Sequence, residues 1–148
     1  MAFTMTTTQA REFLSEGTRT GQLATTRQDG RPHVVPIWFV VDGGDDDDLG
    51  DLVFMTGAAT AKGKALQRDP RVALNVDLPA PPYGFVLVEG TVELSTDLDV
   101  MLPYSIEIAR RYMGDDQAEA FGRRNAVEGE LLVRLRPGKV TALGAISE

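Results

Sequence analysis

The ten residues Pro32-HVVPIWFVV constrain the fold more than any other stretch of the chain. Their β-branched and aromatic side chains favour an extended strand. Alternation places Val34, Trp38 and Val40 on one face and Val35, Ile37, Phe39 and Val41 on the other, so both faces are apolar. A strand of that kind fits a barrel wall that is also covered from outside, for instance by a second subunit. Pro36 removes a ladder donor in its middle, which puts the strand locally at an edge or a bulge. Such a gap lets a ligand approach the backbone, although a plain edge-strand proline accounts for it equally well.

The remaining elements are read from period and punctuation. Gln22-LATTR pairs with this strand through a turn at Gln28-Asp29-Gly30. Before it, Thr8-QAREFLSE reads as an amphipathic helix with Thr8 as N-cap, Ala10, Phe13 and Leu14 on one face, and Gly17 as the stop. Leu52-VFMT is a short strand, followed by a helix that ends at Asp69-Pro70. Arg71-VALNVD and Phe85-VLVEGTVEL are strands joined by the stiff loop Leu78-PAPPYG. Thr96-DLDVMLPYSIEIARRYMG predicts a helix capped by Thr96, stopped by Gly114 and kinked at Pro103, and Asp116-QAEAFGRRNA a shorter one. Leu131-LVRLRP and Lys139-VTAL close the chain as two strands. Residues 1–148 thus read as one domain, α+β but mainly β: an antiparallel barrel of six to seven strands with peripheral helices.

Composition mostly excludes. There is no cysteine, and His33 is the only histidine, so a histidine-cluster metal site or a serine–histidine triad lacks material. A net charge of −7 argues against nucleic acid, which needs a concentrated basic face. No apolar run approaches the roughly 20 residues of a membrane span, and the N-terminus has no secretory pattern, so a cytoplasmic location is expected. Gly43-GDDDDLGD lacks the ordered spacing and terminal glutamate of a calcium loop and reads as a solvated hairpin tip.

Against that acidic background, Met55-TGAATAKGK stands out. Thr60 caps the helix, so Lys62 and Lys64 fall at or near its first turn, where the helix dipole disfavours a cation by roughly 0.3–1 kcal/mol. With the small-residue turn Thr56-Gly57-Ala58-Ala59, free backbone N–H groups, hydroxyls and ammonium groups make an anion site. Two lysines that simply extend into water are the alternative, since so small a penalty is easily absorbed.

Leu23-ATTRQDGRPHVVPIWFV, Met55-TGAATAKGKALQRDPRVALNVD, Phe85-VLVEGTVEL and Ile108-ARRYMG, in that order, resemble the flavin/deazaflavin oxidoreductase superfamily built on the pyridoxamine 5'-phosphate oxidase split β-barrel. The similarity runs from about Thr8 to Leu143 and is greatest to the short members that use the deazaflavin coenzyme F420. This resemblance implies an FMN-binding-like split barrel and a homodimer with cofactor sites at the subunit interface. It further implies that the strand His33–Trp38, including Pro36 and Ile37, lies along the tricyclic ring through its backbone. Thr56, Thr60, Lys62 and Gly63, with Lys64 as a neighbour, would hold the phosphate. Tyr83, Gly84 and Phe85 would reach the ring from the other subunit.

The function implied is F420-dependent hydride transfer to a small unsaturated or conjugated substrate, the protein supplying position and electrostatics. No catalytic side chain is assigned: His33 reads as structural, and Tyr83 as either a proton donor or packing. Arg27, Arg31, Arg68 and Arg71 are candidates for the coenzyme's poly-glutamate tail. The arginine-rich ending of true pyridoxamine 5'-phosphate oxidases is missing. An FMN-dependent enzyme on the same barrel, a non-catalytic flavin or deazaflavin carrier, and a haem protein with His33 as axial ligand remain as alternatives.

Overall fold

The computed structural model describes residues 1–148. Its strands are β1 (Phe3–Thr4), β2 (Gly21–Thr26), β3 (Pro32–Ile37), β4 (Phe39–Asp42), β5 (Asp51–Gly57), β6 (Arg71–Leu78), β7 (Gly84–Ser95) and β8 (Glu130–Gly144). Its helices are α1 (Thr7–Ser15), α2 (Ala61–Arg68), α3 (Leu98–Met113) and α4 (Asp115–Asn125). The strands pair antiparallel in the order β3-β2-β6-β7-β8-β5-β4, with β1 added on β8. The result is a curled, mainly-β split barrel with four helices packed on it.

The doubly apolar stretch is therefore not one strand. It breaks at Trp38 into β3 and β4, which lie at opposite ends of the sheet path. The chain crosses from one edge of the curled sheet to the other in a single residue. Pro36 sits on the edge strand β3, opposite Gln22, where its missing N–H leaves the one neighbouring strand in register. Only the inward alternation is buried: Ile37 and Phe39 enter the core, while Val34 is 59% and Trp38 46% exposed.

Phe39 begins β4 and needs partners for its backbone on the side away from β5. Side chains of α3 supply them. The Phe39 N–H donates to Tyr112 Oη at 3.3 Å, and its carbonyl accepts from Arg111 Nη1 at 2.7 Å. The same guanidinium donates to the carbonyls of Leu14 at 2.7 Å and Gly17 at 3.0 Å, so it also holds the end of α1. Its carbon lies 4.8 Å from the Phe39 ring centroid, and burial lowers its pKa from the ordinary arginine value.

Nineteen buried residues fill the barrel, among them Leu23, Phe39, Phe54, Leu74, Val88 and Leu135. Val53, Met101 and Leu132 form a second, smaller cluster where α3 covers the outside of β5 and β8. Double cover explains why Leu52, Val53 and Phe54 are all fully buried in succession. A second clamp fixes α3 there. Arg134 donates to Asp42 at 2.9 Å, Asp51 at 3.0 Å and the Tyr104 hydroxyl at 2.8 Å, and that hydroxyl donates on to Asp42.

Several sequence expectations shift. Helix α1 is capped by Thr6, whose side chain forms a capping box with Gln9, and not by Thr8. Helix α3 is capped by Asp97 and not Thr96, because the Asp97 carboxylate accepts the N–H groups of Asp99 and Val100. The last two strands are one, β8, continuous through a bulge at Gly138 where the β7 register steps between Glu89 and Gly90. Across Asp45–Asp48 the Asp45 carboxylate accepts two backbone N–H groups and Arg11 donates to two carbonyls. No group of three metal-type side chains converges there or elsewhere. No helix is long and apolar enough to cross a membrane.

Replacing Arg111 with Met leaves three carbonyls short of a donor. The expected loss is about 2–4 kcal/mol, read from the urea midpoint at unchanged m-value. A loss below about 1 kcal/mol would show that water replaces the guanidinium freely.

Candidate functional site

The turn after β5 is tied down by its own hydroxyls. Thr60 Oγ1 accepts the Gly63 N–H at 3.0 Å, donates to the Gly57 carbonyl at 2.7 Å and lies 3.2 Å from Oγ1 of the buried Thr56. Gly63 is required by close approach, since a Cβ there would collide with the Gly57 carbonyl oxygen. Helix α2 thus starts in a fixed direction.

Two positions along a helix turn a side chain by about 200°, so Lys62 and Lys64 leave α2 on opposite sides. Lys62 enters a cavity of about 470 Å³. Pro36, Ile37 and Trp38 of the β3–β4 junction form one wall of it, and Met55 and Glu130 another part. The helices α3 and α4 roof it with Ile108, Met113, Phe121 and Asn125. Burial holds the Lys62 ammonium below the ordinary lysine pKa of 10.5, opposed by the charge of Glu130, and the two form no ion pair. This is a half-buried cation without a direct partner, facing an apolar wall.

Lys64 is exposed and lines a separate groove of about 590 Å³ with His33, Arg27, Arg31, Arg68, Asp29 and Thr25. Arg31 is paired with Asp29 at 2.7 Å and Arg68 donates to the Thr26 carbonyl at 2.9 Å. The Thr25 hydroxyl is buried without a hydrogen-bond partner. The fourth arginine considered from sequence, Arg71, turns instead to Asp69 at 2.8 Å.

The sequence-derived residues therefore fall into three places. Pro36, Ile37, Trp38 and Lys62 come together around the cavity. Thr56, Thr60 and Gly63 build the turn beside it, while His33 and Lys64 face the basic groove. Tyr83, Gly84 and Phe85 line a third hollow of about 370 Å³ with Asn75, Asp77 and Ile146, which meets neither of the others within one chain. Sequence reasoning missed Glu130, Asn125 and the α3–α4 roof. The apolar period of α3 marks a packing face, but nothing local says that part of that face covers a cavity.

A family model described as pyridoxamine 5'-phosphate oxidase matches residues 6–142. Among solved structures, a conserved hypothetical protein from Mycobacterium tuberculosis superposes with a TM-score of 0.81 at 23% identity, over 97% of this chain and 87% of that one. An F420 reductase superposes with a TM-score of 0.67 at 27% identity, over 87% and 94%. HutZ, the haem storage protein from Vibrio cholerae, does so with a TM-score of 0.68 at 18% identity, over 90% and 92%. No curated protein matches.

The buried setting of Lys62 is testable directly. After reductive ¹³C-methylation, its NMR signal should titrate below the ordinary lysine value of 10.5. Titration at or above that value would mean that the ammonium is not desolvated.

Proposed function

The chain belongs to the pyridoxamine 5'-phosphate oxidase family, and from that premise we propose that it is an oxidoreductase that uses coenzyme F420 to reduce a small unsaturated or conjugated molecule. One observation carries this reading: the β3–β4 junction and Lys62, distant in sequence, line the same cavity. The junction offers a flat apolar wall suited to a planar ring. At the cavity's edge a half-buried ammonium without an ion pair suits a phosphate. The free N–H groups at the start of α2, directed by the Thr60 cap, add to that preference for an anion.

When bound, the coenzyme supplies a hydride from the central ring of its deazaflavin. Everything else falls to the chain. Lys62 holds the phosphate, Thr56, Thr60 and Gly63 fix the turn that aims it, and the backbone of Pro36–Trp38 orients the ring. Ile108, Met113 and Phe121 exclude water from that face. Arg27, Arg31, Lys64 and Arg68 lie on the far side of α2, where an anionic tail extending from the phosphate would run. FMN ends at its phosphate and leaves that groove unused, which favours F420. The 27% identity to an F420 reductase supports the same choice. His33 faces the basic groove and not the apolar cavity, so a haem reading finds its axial ligand on the wrong wall.

The working unit in this reading is a homodimer. The outward half of the doubly apolar stretch, Val34 above all, has no cover within one chain. Tyr83, Gly84 and Phe85 are remote from the cavity of their own chain and would serve that of a partner.

Parallel fluorescence titrations with F420 and FMN, with haem as a third ligand, test the assignment. F420 should bind most tightly, and Lys62→Glu should weaken it by about tenfold or more. Preference for FMN would move the protein to FMN chemistry, and an affinity change within about twofold for Lys62→Glu would remove the anion site. Sedimentation velocity should show a dimer at micromolar concentration; a monomer would contradict the shared site.

A further inference from the structure

Lys62 is not the only charge in the cavity. Of the side chains that line it, Glu130 carries the opposite sign and all the others are neutral. A carboxylate beside a phosphate works against binding, and the proposed cofactor site gives it no task.

The backbone fixes where Glu130 stands. It opens β8 directly opposite Gly57, the last residue of β5. The Ala58 N–H donates to the Gly129 carbonyl at 2.8 Å, and the Glu130 N–H to the Val127 carbonyl at 3.2 Å. These bonds tie the start of β8 to the turn before α2. Gly57 has no side chain to fill the space across from it. A Cβ there would lie 3.9 Å from Glu130 Oε1 and 3.2 Å from the Thr60 methyl group. The carboxylate therefore lies over the turn that starts α2, close to where Lys62 and the first N–H groups of the helix would hold an anion.

The consequence is a matter of charge. Lys62 and Glu130 form no ion pair, so the ammonium keeps its donors free, yet the two charges sum to zero. Both residues are partly buried against apolar walls, so solvent screens them less than the exposed cations across α2. The ammonium attracts a phosphate and the carboxylate repels it, and that repulsion grows with each charge the phosphate carries. A phosphodiester carries one negative charge, whereas a phosphomonoester carries about 1.5 to 2 at neutral pH. Lys62 alone would favour the monoester; with Glu130 beside it, that advantage is cancelled. We propose that Glu130 is a specificity-determining residue that selects a phosphodiester over a phosphomonoester at Lys62, and hence F420, whose phosphate is an internal diester, over FMN, whose phosphate is terminal. The choice between coenzymes rests on the oxidoreductase reading; the charge balance belongs to the chain itself.

Fluorescence titrations of riboflavin, F420 and FMN against the parent chain, Glu130→Gln and Glu130→Asp test it. In Glu130→Gln, FMN should bind about tenfold tighter and F420 about threefold, because the logarithm of the gain follows the phosphate charge. Riboflavin, which has no phosphate, should stay within about twofold, and Glu130→Asp should keep the parent's order of affinities. The gain for FMN should shrink as salt is raised to about 1 M, which a change of packing would not do. Equal gains for FMN and F420, no gain for FMN, or a riboflavin affinity that follows the same change overturns the proposal.

A second measurement needs no ligand. With Lys62 ¹³C-methylated as above, its titration should move further below the ordinary lysine value in Glu130→Gln, since the carboxylate's charge opposes the effect of burial. An unmoved titration would mean that Glu130 does not act on the ammonium, and overturns the proposal. A parent chain that fails to bind F420 but gains FMN affinity in Glu130→Gln would sink the F420 reading and leave the charge balance standing. One that binds none of the three ligands has no phosphate site at Lys62 and overturns both.

Discussion

A single guanidinium ties the open edge of β4 to the end of α1. The two ends of the sheet, β3 and β4, are consecutive in the chain, and Trp38 between them pairs with no strand. Arg111 closes off the β4 edge by donating at once to Phe39, Leu14 and Gly17. Charged donors on neutral carbonyls are stronger than backbone ladder bonds, so one side chain can replace several missing ladder contacts. Tyr112, the next residue, completes the edge by meeting the Phe39 N–H. Without this pair the edge of β4 would present unpaired backbone, which is the ordinary liability of a sheet edge.

The cavity is a consequence of that closure. Helix α3 must lie across the edge to deliver Arg111 and Tyr112, and a second anchor keeps it there. That anchor is the cluster of Asp42, Asp51, Tyr104 and Arg134. The Tyr104 hydroxyl and then Arg134 hold the Asp42 carboxyl below the ordinary carboxylate range. Spanned between the two anchors, α3 and the following α4 roof the space in front of Pro36–Trp38. Stability and site are therefore parts of one arrangement: Tyr112, which satisfies the edge, also stacks on Trp38 of the cavity wall.

Electrostatics divides the surroundings of α2. A helix only eight residues long separates a cavity with one half-buried ammonium from a groove with several exposed cations. In an acidic protein, that concentration of positive charge on either side of one helix start is a local exception. Positive charge so placed favours an anion near the helix over a cation. The charge of Glu130 offsets part of the cost of placing Lys62 near the positive end of the dipole, and a bound anion would offset more.

Sequence by itself determined what depends on near neighbours along the chain. The extended Pro32–Val41 stretch, the Thr60 cap, the stop at Asp69-Pro70, the Gly114 terminus and the mainly-β class all follow from period, capping and proline sterics within a few residues. Lys62 became a candidate anion ligand from its place after Thr60 alone. Tertiary structure alone decided that Trp38 breaks the strand, that Lys62 and Lys64 face different spaces, and that Tyr83–Phe85 lie away from the cavity of their own chain. The reason is distance: Arg111 meets Phe39 across 72 positions, and which carbonyl a long side chain reaches is set by how helices pack on a closed sheet. No period or local motif encodes that packing, because it exists only once the two edges of the sheet have been brought together.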